Sequence, residues 1–271
     1  MKKSLNISGH ALVAALVLAL VPALGGCKSD SNPTGPNYTI TDDNVAQLVG
    51  MAYARQGGFL MTLGDAIDVV HGAPLPLQKA VANESTQYQS TVTRNRSTTV
   101  AGKTYSYSGA VDYDVRYTTN SWNNGRDTFW AENTELRFFA IMKRGTIVTP
   151  TFTGTDSAGA GLFFLGTNQP SYTLSGRFGR VGSYTFFGDS NRTVAARIEY
   201  ENMPGVTIDP VGRIISDNNI GMALAVNLDQ KDGKHLSYQA TMTIRTGQPP
   251  RLNLAGKTYV INVDTGEAVL Q

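Results

Sequence analysis

The sequence predicts a mainly β protein: a curled or barrel-like antiparallel meander, with a short α-helical segment near its N-terminus packed on the apolar face of the sheet. Three observations predict it. Apolar residues recur at helical spacing between 41 and 72, the period falls to two from about Thr86 onward, and turn-forming pairs punctuate the remainder at short intervals.

The helical segment comes first. In Ile40-Thr41-Asp42-Asp43-Asn44-Val45, Thr41 can cap free amides, the two aspartates suit the positive helix end, and Ile40 can staple onto Val45. A stripe of Val45, Leu48, Val49 and Ala52 follows and stops at Gly57-Gly58. A second stripe, Leu60, Leu63, Ile67 and Val70, stops at Gly72 and Pro74. Two short helices are expected over 41–72.

The first clear strand is Tyr105 to Tyr117, whose odd positions are apolar or aromatic while Ser106, Ser108, Asp112, Asp114 and Arg116 fill even ones. Asn124-Gly125 suits a two-residue type I′ turn, which would set Tyr113 opposite Leu136, Val111 opposite Phe138, Tyr107 opposite Met142 and Asp112 opposite Arg137. Lys231-Asp232-Gly233 suits a three-residue loop pairing Leu228 with Leu236, Val226 with Tyr238 and Met222 with Met242. In Ala255-Gly256-Lys257-Thr258 a type II′ turn led by Gly256 would pair Leu254 with Tyr259 and Leu252 with Ile261. The letters AGKTY also stand at 101–105, which reads as one turn solution used twice. Further apolar runs bring the expectation to roughly ten to twelve strands, enough for a sheet that curls, folds into a sandwich or closes. The helices are the other substantial apolar elements, and so the expected cover of its inner face.

The amino end has a different character. Lys2 and Lys3 precede an unbroken apolar run from Ala11 to Leu24, then Gly25, Gly26 and Cys27. As a helix that run covers roughly 21 Å, short of a hydrocarbon core of about 30 Å, so it reads as an export signal. Leu24-Gly25-Gly26-Cys27 resembles the lipobox of bacterial lipoproteins. The resemblance implies cleavage between Gly26 and Cys27 by signal peptidase II, acyl chains such as palmitate on Cys27, and anchoring in a membrane. Lys28 stands where aspartate would imply inner-membrane retention, so the resemblance points to the outer membrane and leaves the facing side open. Cys27 is the only cysteine, which leaves no internal disulfide and, once acylated, no thiol nucleophile. Residues 1–26 are thus expected to be signal, 27–40 a lipidated Ser/Asn/Pro/Gly tether reaching roughly 40 to 45 Å, 41–82 a helical cover and 83–271 the β part of one domain. Loss of Lys2 and Lys3 leaves 21 basic against 21 acidic residues, a balance unsuited to nucleic acid.

Catalytic signatures are weak. Gly102-Lys103-Thr104 and Gly256-Lys257-Thr258 lack the leading glycine of a phosphate loop, since Ser97 and Arg251 occupy that position. No G-x-S-x-G elbow or H-E-x-x-H occurs. His71 and His235 read as loop histidines, fewer than the three or four ligands zinc wants. Asp112 and Asp114 share a strand face but are expected in a solvated lattice with Arg137 and Arg116. Trp122 could stack on a sugar or fold over its own hairpin. The expected function is non-enzymatic, without catalytic residue, metal or cofactor: an envelope protein that binds a partner protein or serves as a structural accessory. The alternative is a carrier of a hydrophobic ligand inside a sheet lined by Tyr107, Tyr113, Phe138, Leu224 and Met242.

Overall fold

A computed structural model of the chain describes residues 40–70, 78–81, 86–118, 136–167, 171–188, 192–208 and 220–271. Two helices, α1 (Asp42–Tyr53) and α2 (Phe59–Val70), precede twelve strands. The strands are β1 (Gln78–Val81), β2 (Thr86–Val100), β3 (Lys103–Thr118), β4 (Leu136–Val148), β5 (Phe152–Leu165), β6 (Tyr172–Phe186) and β7 (Arg192–Ile208). The meander continues through β8 (Ile220–Gln230), β9 (His235–Ile244), β10 (Arg251–Leu254), β11 (Lys257–Ile261) and β12 (Ala268–Leu270). All belong to one antiparallel sheet in sequential order, and β1 and β12 do not pair to close it.

Helix α1 begins as its sequence dictates. Thr41 Oγ1 accepts from the Asn44 amide at 3.3 Å and Asn44 Oδ1 accepts from the Thr41 amide at 3.1 Å, a reciprocal cap. Val45, Leu48, Val49 and Ala52 are all buried. α2 departs from the single-stripe expectation. Phe59, Met61, Leu63, Ala66, Thr62 and Asp65 are buried, whereas Leu60 and Ile67 are only partly so. A helix with so wide a buried surface packs deep within the curl, on the apolar face of the sheet as expected.

Both helices therefore plug the concave face, against Tyr107, Val111, Tyr113, Phe139, Leu162, Phe164, Leu224 and Met242, which form one buried cluster with them. The register of the first long hairpin differs from the turn-based expectation. Asp112 pairs with Met142, Tyr113 with Ile141 and Val111 with Lys143, so Asp112 does not lie across from Arg137. The reason is that Phe138 to Met142 is apolar at odd and even positions alike, so alternation cannot choose the inner face. Phe139 and Ile141 point inward. Phe138 is outside the curl, tilted against Phe163 with ring centroids 4.7 Å apart, and it does not line the interior. Asn124-Gly125 lies outside the described residues.

The β8–β9 hairpin has the expected register, Leu228 with Leu236, Val226 with Tyr238 and Met222 with Met242, and Gly233 is left-handed. The β10–β11 turn is displaced by one residue from a Gly256-led turn: Leu254 pairs with Lys257 and Leu252 with Tyr259. Ala255 and Gly256 both take positive φ, 49° and 77°, which is the type I′ conformation. Ala101 and Gly102 repeat it at 51° and 75°, so the two AGKTY segments do share one turn.

Where the two ends of the sheet approach, side chains bridge what main chain does not. Lys103 at the β2–β3 tip pairs with Glu267 at 2.8 Å. The Gln47 amide both donates to the Ala268 carbonyl, at 2.8 Å, and accepts from its N–H, at 3.3 Å, capping the free edge of β12.

Candidate functional site

The concave face would be the natural ligand site of such a sheet, and it is occupied by the chain's own helices. A void of about 10 Å³ lies beside Phe59, Phe178, Tyr200 and Met222, room for roughly one water.

At the centre of this apolar interior sits a group of charges. The register lines up Val111, Lys143, Ala158, Arg180 and Ile198 across β3 to β7, so two cations flank one small residue on the inner face. The space above Ala158 receives the turn between the helices. Arg180 Nη2 donates to the Gly57 carbonyl at 2.5 Å, and Lys143 Nζ donates to that same carbonyl and, at 3.4 Å, to that of Gly58. Gly57 is left-handed at φ +85°, and a Cβ there would lie 2.6 Å from the Tyr107 ring, so only glycine fits.

Asp156, two residues before Ala158 on β5, supplies the counter-charge. Arg180 Nε lies 2.6 Å from Asp156 Oδ2, yet it is not aligned to donate; charge holds the pair, and neither carboxylate oxygen receives a hydrogen bond among the described residues. Both side chains are essentially fully buried. Burial, and after it the Arg180 charge, pushes the Lys143 amine well below the usual lysine range. Burial and the Asp156 charge push the Tyr107 hydroxyl up to about 12.

A second cluster ties α2 to the beginning of the sheet. Asp65 accepts from Tyr113 Oη at 2.5 Å and from Arg94 Nε at 3.0 Å, while Arg96 Nη2 stands 3.4 Å from its other oxygen. Asp65 is buried, whereas Arg96 is about half exposed. Burial and the Asp65 charge drive the Tyr113 pKa far above its ordinary value. Chemically, both clusters are suited to holding helices in place. Lys143, although an amine nucleophile when neutral, is only 2 % exposed.

The residues singled out from sequence lie elsewhere. Asp112 accepts from Thr91 Oγ1 at 2.7 Å and stands 3.8 Å from Arg144, and the register sets it across from Met142 where Arg137 was expected. Asp114 is on the same outer face and also engaged. His235 shares a 2.7 Å hydrogen bond with Asp229, both exposed. Cys27, Gly26, His71 and Trp122 lie outside the described residues, as do the side chains of Arg116 and Arg137. Among the described residues no group of three or more His, Cys, Asp or Glu could hold a metal, and no helix is long and apolar enough to cross a membrane. Of the lining expected for a carrier, Tyr107, Tyr113, Leu224 and Met242 are inside.

Sequence reasoning missed Lys143, Arg180, Asp156 and Asp65. A signal existed for Arg180, which interrupts the inward parity of Phe178, Tyr184 and Phe186 with a cation. No protein-family model, curated protein or solved structure matches this chain.

Proposed function

We propose that the protein is a lipid-anchored lipoprotein of the bacterial cell envelope, held in the outer membrane by acyl chains on Cys27. Its β domain acts there by binding a partner or as a structural accessory, not by catalysis. The observation that carries this reading is the order of the amino end: Lys2-Lys3, the apolar run Ala11 to Leu24, then Leu24-Gly25-Gly26-Cys27. One acyl chain binds a bilayer marginally and two or three hold it durably, so the modification suffices as an anchor. The filled concave face favours a partner met on the outer surface over a small ligand held within.

Intact mass of the native mature protein tests the anchor. A chain beginning at Cys27 with added acyl mass is expected, and Cys27→Ser should remain unprocessed or mislocated; an unmodified Cys27 refutes the reading. A soluble form starting at Lys28 tests the role. It should carry no organic-extractable lipid, and Leu48→Asp in it should abolish cooperative melting, because an unpaired buried charge costs on the order of several kcal/mol. Stoichiometric lipid in the parent, together with unchanged melting of the variant, would make the helices a mobile lid and the protein a hydrophobic-ligand carrier.

A further inference from the structure

In a meander, alternate hairpins share one end of the sheet. The turns β2–β3, β4–β5, β6–β7, β8–β9 and β10–β11 all fall on the same end here. Exposed apolar side chains stand at three of these tips, while the β8–β9 tip is polar. Val100 closes β2, Val148 closes β4 and Phe187 follows β6, and they are 40 %, 43 % and 44 % exposed. Leu270, where β12 runs up beside the β10–β11 turn, is 51 % exposed. At the opposite end Tyr172, Ile220 and Ile244 are buried, Leu165 is half-buried and the exposed strand terminus Arg251 is charged.

The chain enters the domain at that same apolar end. Asp42, in the first turn of α1, is 3.0 Å from Lys257 beside the β10–β11 turn, and Asp43 accepts from Tyr259 Oη at 2.7 Å. The first described residues, Ile40 and Thr41, which lead into α1, therefore lie beside these tips. Several cations at this end already have carboxylate partners: Lys257 with Asp42, Lys103 with Glu267, Lys234 and Arg192 with Asp232. These pairs carry no net charge, so they add little net field toward a bilayer, and the apolar tips beside them can make the contact.

We infer that this end of the sheet, with Val100, Val148, Phe187 and Leu270 at its rim, rests in the lipid–water interface beneath the tether. The inference rests on the lipoprotein reading, since so few apolar side chains hold a bilayer only when the tether keeps them at high effective concentration beside it. The contact is apolar, so it should depend little on salt.

The test uses the full lipidated protein in vesicles of phosphatidylethanolamine and phosphatidylglycerol containing a nitroxide-labelled lipid. Cys27 is the only native cysteine and its sulfur is acylated in the mature form, so an introduced thiol takes a fluorophore alone. Phe187→Cys and Thr173→Cys place it at opposite ends of β6, both at exposed positions. Quenching by the lipid nitroxide should be at least about twofold stronger at 187 than at 173, and should persist in high salt. Acylated protein with equal quenching at both positions, stronger quenching at 173, or quenching at 187 that salt abolishes overturns the interfacial rim while leaving the anchor intact. Unmodified Cys27 in the mass spectrum overturns both.

Discussion

Lys143 is the residue whose environment departs furthest from what its side chain prefers. Its amine is enclosed by Tyr107, Phe178 and the carbonyls of the helical turn, with Nζ 5.2 Å from the first ring and 5.7 Å from the second. A lysine whose pKa is lowered by burial makes stability pH-dependent with a definite sign. The unfolded chain keeps the proton to about pH 10.4, whereas the folded chain releases it at lower pH. Between those limits the unfolded state binds more protons, so stability rises with pH. Above about pH 10 the sign reverses. Burial raises Tyr53, Tyr184 and Tyr200 beyond the ordinary phenol value, so unfolded tyrosines ionise first and the folded state loses ground. The melting temperature should climb from pH 7 toward a maximum near about pH 10 and then fall. In Lys143→Met the climb should flatten while the alkaline fall remains; an unchanged climb in the variant would place its origin elsewhere.

At the scale of elements, legibility in the sequence followed the specificity of each local signal. The start of α1 was legible because Thr41 and Asn44 satisfy orphan amides through their own side chains, with no tertiary information required. The β8–β9 register was legible because Gly233 fixes the loop and the apolar parity is one-sided on β8. The β3–β4 register was not, because Phe138 to Met142 is apolar on both parities and offers no one-sided pattern to pin it. The buried cluster depends on that register, because Lys143 faces inward only when odd positions of β4 do. It could not be read before the strands were paired. The β10–β11 turn shows a subtler limit, since glycine at either central position suits a tight turn and here alanine accepts the left-handed conformation as well. Ala255→Asn should therefore stabilise the protein by about 0.5 to 1 kcal/mol, asparagine tolerating that backbone better. Chemical denaturation would read it as a higher midpoint with unchanged slope, and a lowered midpoint would contradict the type I′ assignment.

Across the whole molecule, the sheet supplies curvature and the helices supply filling, and neither is complete alone. Asp65 with Arg94 ties α2 to β2 near one end of the sheet, and Gln47 with Ala268 ties α1 to β12 at the other. Deleting residues 267–271 removes β12 and the partner of Gln47, and also Glu267, the partner of Lys103. Such a chain should lose cooperative unfolding and bind a hydrophobic dye. A truncated form melting like the parent would show that the edge contributes little.

The Gln47–Ala268 contact joins residues 221 positions apart, and that distance is also an interval of time. At about 5 to 20 residues per second, roughly ten to forty-five seconds of synthesis separate the two partners. Throughout that interval α1 exists without the strand that caps it, and its apolar stripe has an unfinished sheet to meet. A topology this non-local cannot nucleate on its own amino end and complete itself as it emerges. β12, made long after α1, finishes the seat for that helix, so the newborn chain must be kept from aggregating until β12 arrives.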